Sequence, residues 1–324
     1  MLKIKKEHFR KYMGPFSEIV FKPRVHHNYV WITNEEAIKR SISESEKYEI
    51  KQIIKKAKRD GYDSKNLIKA EGKLRFENFS HESYDGVFID FAKIGKYLII
   101  KEGEDKTKTI FKTEKTVEEI LKFIKQYGPL RIDSILYQSA EFIIGEMVNA
   151  YNLLTLYNAV LNKDFEQLKK RIQIGGKYPF LLANGKMEEI FWPIVDGKNY
   201  PLQLVLKKPI DYLVCAFFVI SREIQDRIED IYPGFGNIEK LKSETWPEDI
   251  DHPGMFFSSV LICPSLLSYM YLRFYLVITN MRPMLTCKEC GIPFFLKRVK
   301  KDNKFCSNSC RVKYWKRNNN PINQ

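Results

Sequence analysis

Apolar residues recur at helical spacing in several stretches of the chain and run together or alternate in others. From Ser43 to Asp60, SESEKYEIKQIIKKAKRD puts Ile50, Ile53, Ile54 and Ala57 on one face, with acids early and bases late as a helix dipole prefers, and Gly61 stops it. A β-rich section is expected next, because GVFIDFAKI, KYLIIKE and TKTIFKTEK are dense in branched and aromatic residues, with GEDK as a hairpin turn between the second and third. Thr116-Val-Glu-Glu119 has the form of a capping box opening EEILKFIKQY, which Gly128-Pro129 ends.

The longest helical signal runs from about Ile132 to Leu161, with Ile143, Met147, Ala150, Leu154, Tyr157 and Leu161 on one face. Asn162-Lys163 breaks it, and Asp164 can cap a second helix with Phe165, Leu168 and Ile172 inward. In IFWPIVDGKNYPLQLVL, Asp196-Gly197 marks a turn between extended segments. DYLVCAFFVISREIQDRIEDI returns to helical spacing through Leu213, Phe217, Ile220, Ile224 and Ile228, and a polar stretch then leads to an apolar helix beginning at Pro264. Residues 1–40 show no clear period, although VHHNYVWI is rich enough in aromatic and branched residues to be ordered.

With 324 residues, the chain has room for two domains or one large domain with an appendage. The expected organisation is a mixed α/β part over 1–130 and a mainly helical part over 131–282 packed with it, then a zinc finger over 283–318 and a disordered tail over 319–324. The fold class is α+β, a helix-rich large domain with small antiparallel sheets and a C-terminal treble-clef-like four-cysteine zinc finger. A composition of 44% hydrophobic and 29% charged residues suits a folded core with a soluble surface. Met255–Met281 carries only one charge, Arg273, and is long enough to reach across a bilayer. Pro264 divides it, and the Ser, Thr and Tyr residues beyond that proline favour a buried helix over a membrane span.

Charge sharpens this picture. The formal net charge is +14, and between Cys287 and Arg317 ten Lys and Arg stand against only Glu289 and Asp302. More than half of the excess lies in a tenth of the chain, which points to an anionic partner. The six cysteines divide into Cys215 and Cys263, each in apolar sequence and read as buried hydrophobes, and a cluster near the end. MLKIKKEHFRKYMG lacks the apolar stretch of a secretion signal, so a reducing cytoplasm is the expected setting.

The clustered cysteines form C-x2-C-x15-C-x3-C. Cys287-Lys-Glu-Cys290-Gly291 reads as a zinc knuckle whose glycine permits a tight backbone. Pro293 to Phe295 and Lys304 to Phe305 are expected to be the arms of a hairpin turned at Lys301-Asp302-Asn303. Ser307 can cap a helix that holds Cys306 and Cys310 four apart, on one face of its first turn. Cys287, Cys290, Cys306 and Cys310 are thus read as a site for one structural Zn2+, because four thiolates leave no position for water, with a redox C-x2-C or an iron–sulfur cluster as the alternatives.

Around it, Lys297, Arg298, Lys300, Lys301 and Lys304 on the hairpin and Arg311, Lys313, Lys316 and Arg317 on the helix are candidates for phosphate contact. Tyr314 and Trp315 are able to stack on a base or pack on the knuckle, and packing is the expected role of Trp315.

The run CKECGIPFFLKRVKKDNKFCSNSCRVKYWKR resembles bacterial treble-clef fingers of the form C-x2-CG-x-x-F…(Y/F)CS-x-x-CR, related in style to the CGNR-type zinc finger. The resemblance covers about forty residues and implies a DNA-binding finger behind a helix-containing region. Arg-Val-Lys follows Cys310 where CGNR fingers have Gly-Asn-Arg, so that family's DNA specificity does not carry over.

Elsewhere, Arg75-x5-His81 imitates a ribonuclease spacing, and Asp90 with Glu104-Asp-Lys106 imitates a nuclease order. Both patterns are short and are read as chance, and no P-loop, dinucleotide glycine motif, HExxH or GxSxG is present.

The expected function is that of a bacterial zinc-finger nucleic-acid-binding protein, a DNA-binding regulator with a large sensing or partner-binding domain. Its expected partners are nucleic acid, DNA ahead of RNA, and a protein partner or second copy on the large domain. A nucleic-acid-processing or phage-defence effector with an active site in residues 1–280, and a membrane-associated effector, are the alternatives.

Overall fold

The computed structural model describes residues 18–20, 24–76, 86–102, 108–111, 113–131, 136–181, 187–200, 209–236, 258–279, 284–295 and 304–319. It is helix-rich with small sheets, and it divides into two compact units, Met1–Val148 with Arg227–Asn280 and Asn149–Asp226 with Met281–Gln324.

In the first unit, β1 (Glu18–Val20) pairs parallel with β11 (Ser258–Ile262), which pairs antiparallel with β10 (Tyr232–Gly236). A second sheet has the order β2-β3-β6, built from Arg24–Thr33, Asn66–Phe76 and Tyr137–Ser139, all antiparallel. Between β2 and β3 come α1 (Asn34–Arg40) and α2 (Glu44–Arg59). Thr33 caps α1 in a capping box with Glu36, and Ser43 caps α2 by accepting from the Glu46 amide. Ile50 and Ala57 of α2 are buried and Ile53 and Ile54 half-buried, the apolar face expected from their spacing. Ile50 joins Ile32, Ala37, Leu67 and Tyr137 in one core cluster.

The segment GVFIDFAKI is not a strand. It forms helix α3 (Val87–Gly95), with Val87, Phe88, Ile89, Phe91, Ala92 and Gly95 all buried. Its polar stripe is only Asp90 and Lys93, and two polar positions in nine residues do not by themselves separate helix from strand. The following pair is as expected, β4 (Ile99–Glu102) against β5 (Lys108–Phe111), antiparallel; the turn expected at GEDK lies outside the described residues.

Helix α4 (Glu114–Tyr127) is capped by Thr113, not Thr116, and the Thr116 amide donates to the Thr113 hydroxyl at 3.3 Å. Gly128 ends it at φ 93°, a backbone that glycine adopts without strain. The long helix, α5 (Ala140–Leu161), begins later than expected, because residues 137–139 are committed to the edge of the β2-β3-β6 sheet. Ile143, Met147, Ala150, Leu154 and Tyr157 are buried, whereas Leu161 is exposed.

In the second unit, Lys163 turns the chain with φ 51°, and Asp164 caps α6 (Phe165–Arg171) by accepting from the Gln167 amide. An antiparallel sheet follows with the order β7-β8-β9, from Ile172–Leu181, Met187–Val195 and Lys198–Asn199. The Asp196-Gly197 turn joins its last two strands. Arg171 secures this turn by pairing with Asp196 while donating to Thr155 Oγ1 at 2.9 Å and to the Asn152 carbonyl at 2.7 Å.

Helix α7 (Pro209–Ile228) buries Cys215, Ala216, Val219, Ile220 and Ile224. Phe217, expected on the inner face, is exposed.

Returning to the first unit, α8 (Leu266–Thr279) has Leu266 to Leu272 buried without a break, as well as Phe274 and Leu276. Phe88 of α3 stacks on Phe274 at 4.3 Å and meets Tyr271 edge-on at 5.3 Å. The apolar stretch after Pro264 is therefore a core helix. Among the described residues, no helix is long and apolar enough to cross a membrane.

Candidate metal centre

Strand β12 (Met284–Thr286) leads directly into Cys287 and pairs antiparallel with β13 (Pro293–Phe295) just beyond the knuckle. The expected partner of Pro293–Phe295 was Lys304–Phe305. That segment is not a strand, and its carbonyl at Lys304 accepts from the Lys288 amide at 3.0 Å. The Lys288–Lys304 bond brings the second cysteine pair to the first. The β12–β13 ladder closes across the knuckle itself, with the Cys287 amide donating to the Ile292 carbonyl at 3.1 Å.

Gly291 has φ 68°, a left-handed conformation that suits the tight backbone expected there, and its amide donates to the Cys287 carbonyl at 2.8 Å. On the other side, α9 (Asn308–Asn319) starts just after Ser307, whose hydroxyl accepts from the Cys310 amide at 3.2 Å. Cys306 precedes the helix and Cys310 lies in its first turn, so the cap fixes the separation of their sulfurs.

The four Sγ atoms of Cys287, Cys290, Cys306 and Cys310 all lie within 4.8 Å of one another. Cys290 and Cys306 are 3.7 Å apart, and Cys306 and Cys310 are 3.5 Å apart. A disulfide would need about 2.05 Å. A tetrahedral ion with metal–sulfur bonds of about 2.3 Å would set its sulfurs about 3.8 Å apart. The cluster thus has the dimensions of a four-thiolate metal site, and four thiolates fill a tetrahedral shell, which makes such a metal structural.

Cys287 is almost fully buried, whereas the other three are partly exposed. Burial pushes the Cys287 thiol up, but the backbone amides of Cys290, Cys306 and Glu289 directed at its sulfur outweigh this and bring it to about 7. Burial raises Cys290, partly offset by the Ile292 amide. Cys215 and Cys263, outside the cluster, are buried and pushed up to about 12, as inert core thiols are.

Of the cations, Lys304, Arg311, Lys313, Lys316 and Arg317 are exposed. Arg317 Nη2 lies 2.9 Å from Glu289 Oε2, tying the helix to the knuckle, and Arg311 donates to Asn308 Oδ1 at 3.0 Å. Lys297, Arg298, Lys300 and Lys301, together with the turn expected at Lys301-Asp302-Asn303, lie outside the described residues.

Tyr314 packs against Phe305 at 5.1 Å, but Trp315 is 62% exposed, so the packing expected of Trp315 is carried by its neighbour. Two features escaped sequence reasoning. Glu289 binds Arg317 across 28 residues, and no local pattern announces that pair. The exposure of Trp315 follows from helical phase, which puts Tyr314 in line with Cys310 and leaves Trp315 a further 100° around the helix.

Asp90, one of the chance-pattern residues, accepts from Lys93 at 2.9 Å and from the Tyr127 hydroxyl at 3.3 Å, which serves the packing of α3 and α4. His81, Glu104 and Lys106 lie outside the described residues. The chain matches no family model, no curated protein and no solved structure.

Proposed function

We propose that the C-terminal module is a structural zinc finger of treble-clef type through which this protein binds nucleic acid, with DNA as the expected form. The observation that carries the reading is α9. It holds one of the metal-site cysteines, contains no acidic residue, and presents Arg311, Lys313, Lys316 and Arg317 at its exposed surface. Zinc is favoured by the all-thiolate donor set and by the closed tetrahedral spacing. A rigid ion fixes the helix, and the helix holds an array of cations that phosphates can meet without reordering the chain.

The test compares the full-length protein with a Cys306→Ser, Cys310→Ser variant. Zinc content is measured on both, and nucleic-acid affinity is measured across a range of salt. The wild type should carry one zinc per chain and bind with a log–log salt slope of about −4 to −5 for about five phosphate contacts on a duplex. The variant should lose both properties. Undiminished nucleic-acid binding by a zinc-free variant would sink the finger as the binding element.

A further inference from the structure

We propose that Trp315 is a base-stacking platform and that the ligand of the module is single-stranded nucleic acid, DNA or RNA, whose unpaired bases it receives. This rests on the nucleic-acid reading above and adds the form of the ligand.

The two sides of α9 differ in kind. Cys310, Tyr314 and Arg317, at spacings of four and three, share one side, and each is tied to the rest of the module. Cys310 stands 3.5 Å from Cys306, Tyr314 packs on Phe305, and Arg317 reaches Glu289. On the opposite side lie Arg311, Val312, Trp315 and Lys316, all exposed. Trp315 is 62% exposed and Val312, three residues before it, is 50% exposed. The largest apolar side chain of the helix therefore stands in water beside another apolar residue, with Arg311 one turn back and Lys316 next to it.

An indole neutralises no phosphate. What it offers is a flat π face, and the matching surface on a nucleic acid is the face of a base. In a duplex those faces are already stacked on neighbouring pairs, whereas in a single strand they are available. With a base on Trp315, the Arg311 and Lys316 cations flank it where the phosphates on either side of the nucleotide pass. Val312 extends the apolar floor. The combination of aromatic platform and cationic flanks is sequence-tolerant, because every base has a π face.

The experiment uses the full-length, zinc-loaded protein with Trp315→Ala and Trp315→Phe variants. The probes are one short mixed-sequence oligonucleotide as single-stranded DNA, the same sequence as RNA, the DNA duplex, and vesicles of phosphatidylcholine with phosphatidylglycerol. Zinc content should be unchanged in both variants, because Trp315 makes no part of the metal site.

Single strands should bind more tightly than the duplex and quench a component of tryptophan emission that is missing from Trp315→Phe. Trp315→Ala should weaken single-strand binding by about 5- to 150-fold, the span of one stacked base, and leave duplex binding unchanged. Trp315→Phe should keep most of the affinity. DNA and RNA arms of equal affinity support a stacking contact that ignores the sugar, and a difference between them names the natural strand.

Preferential duplex binding, or single-strand binding indifferent to Trp315→Ala, would overturn the stacking role while leaving the nucleic-acid reading intact. Failure to bind any strand would overturn both. Vesicle capture dependent on Trp315 in the absence of strand binding would assign this helix face to a membrane surface instead.

Discussion

An arginine–glutamate pair in the core of the first unit and another in the metal module differ in the setting of the arginine. Arg227 meets Glu146 with hydrogen bonds of 2.7 and 3.0 Å, and the two side chains are 12% and 8% exposed. The Arg227 guanidinium also lies over the Tyr271 ring at 4.9 Å. Arg317 meets Glu289 at 2.9 Å without hydrogen-bond alignment; the arginine is 62% exposed, whereas the glutamate is only 14% exposed.

In the core, apolar burial along α8 holds the structure, and the ion pair is a polar inclusion whose two charges must satisfy each other. In the module, the sulfur cluster sets the geometry, and the ion pair has its arginine in solvent while its glutamate is largely enclosed. Similar chemistry thus has both charges enclosed in one region and one charge open to solvent in the other.

The largest effect is expected at the buried pair. Arg227→Met leaves the Glu146 carboxylate buried without its main partner and should lower the stability of the first unit by about 3–5 kcal/mol, read from the shift of its urea midpoint. Adding Glu146→Leu should restore most of the loss, because no charge is then stranded. Zinc content should stay constant throughout. A double variant as unstable as the single one would mean that packing of the Arg227 stem, and not charge pairing, holds this part of the core.

Next in size is a test of how tightly that core is packed. A Cβ at Gly95 would lie 2.0 Å from the Met147 carbonyl oxygen, so α3 and α5 meet backbone to backbone there. Gly95→Ala should destabilise by about 1–3 kcal/mol or more, measured in the same way, since a helix backbone cannot move aside as a side chain does. Gly145→Ala should cost less, although its Cβ would come within 2.2 Å of Tyr62, because the phenol ring is a side chain and can shift. Equal losses at the two positions would show that the Tyr62 ring is as immovable as the backbone.

What could be read beforehand divides along the same line. Signals carried by neighbouring residues were legible: Asp164 as a cap, Gly128 and Asp196-Gly197 as punctuation, and the cysteine spacing as a metal site. Choices made by distant partners were not. The helix at Val87–Gly95 reads as a strand because the core covers most of it and leaves a polar stripe of only Asp90 and Lys93. β2 and β3 pair across more than thirty residues, with α1 and α2 between them, so nothing local announced their ladder. Pro293–Phe295 was expected to pair with Lys304–Phe305, but the upstream Met284–Thr286 pairs with it, in a ladder that runs straight into the knuckle. At Trp315, a general rule that small metal modules bury their aromatics gave way to helical phase, which favoured Tyr314.

The smallest effect on stability, and the one that sharpens the comparison furthest, is expected at Arg317. A pair with an exposed arginine and no aligned hydrogen bond contributes about 0–1 kcal/mol, so Arg317→Ala should change metal affinity, measured by competition with a chelator, by no more than about fivefold. The same residue is a candidate phosphate contact. Because the Arg317 guanidinium is exposed and not aligned for a hydrogen bond with Glu289, a phosphate can reach it. Arg317→Ala should then flatten the log–log salt slope of single-strand binding by about 0.7, the share of one phosphate contact, while zinc stays in place. An unchanged slope would keep Arg317 on Glu289 in the bound state and leave Arg311, Lys313 and Lys316 as the cations of α9 that meet the strand. A large loss of metal affinity would instead place the Arg317–Glu289 pair beside the buried one as a structural necessity, and the contrast between the two regions would fail.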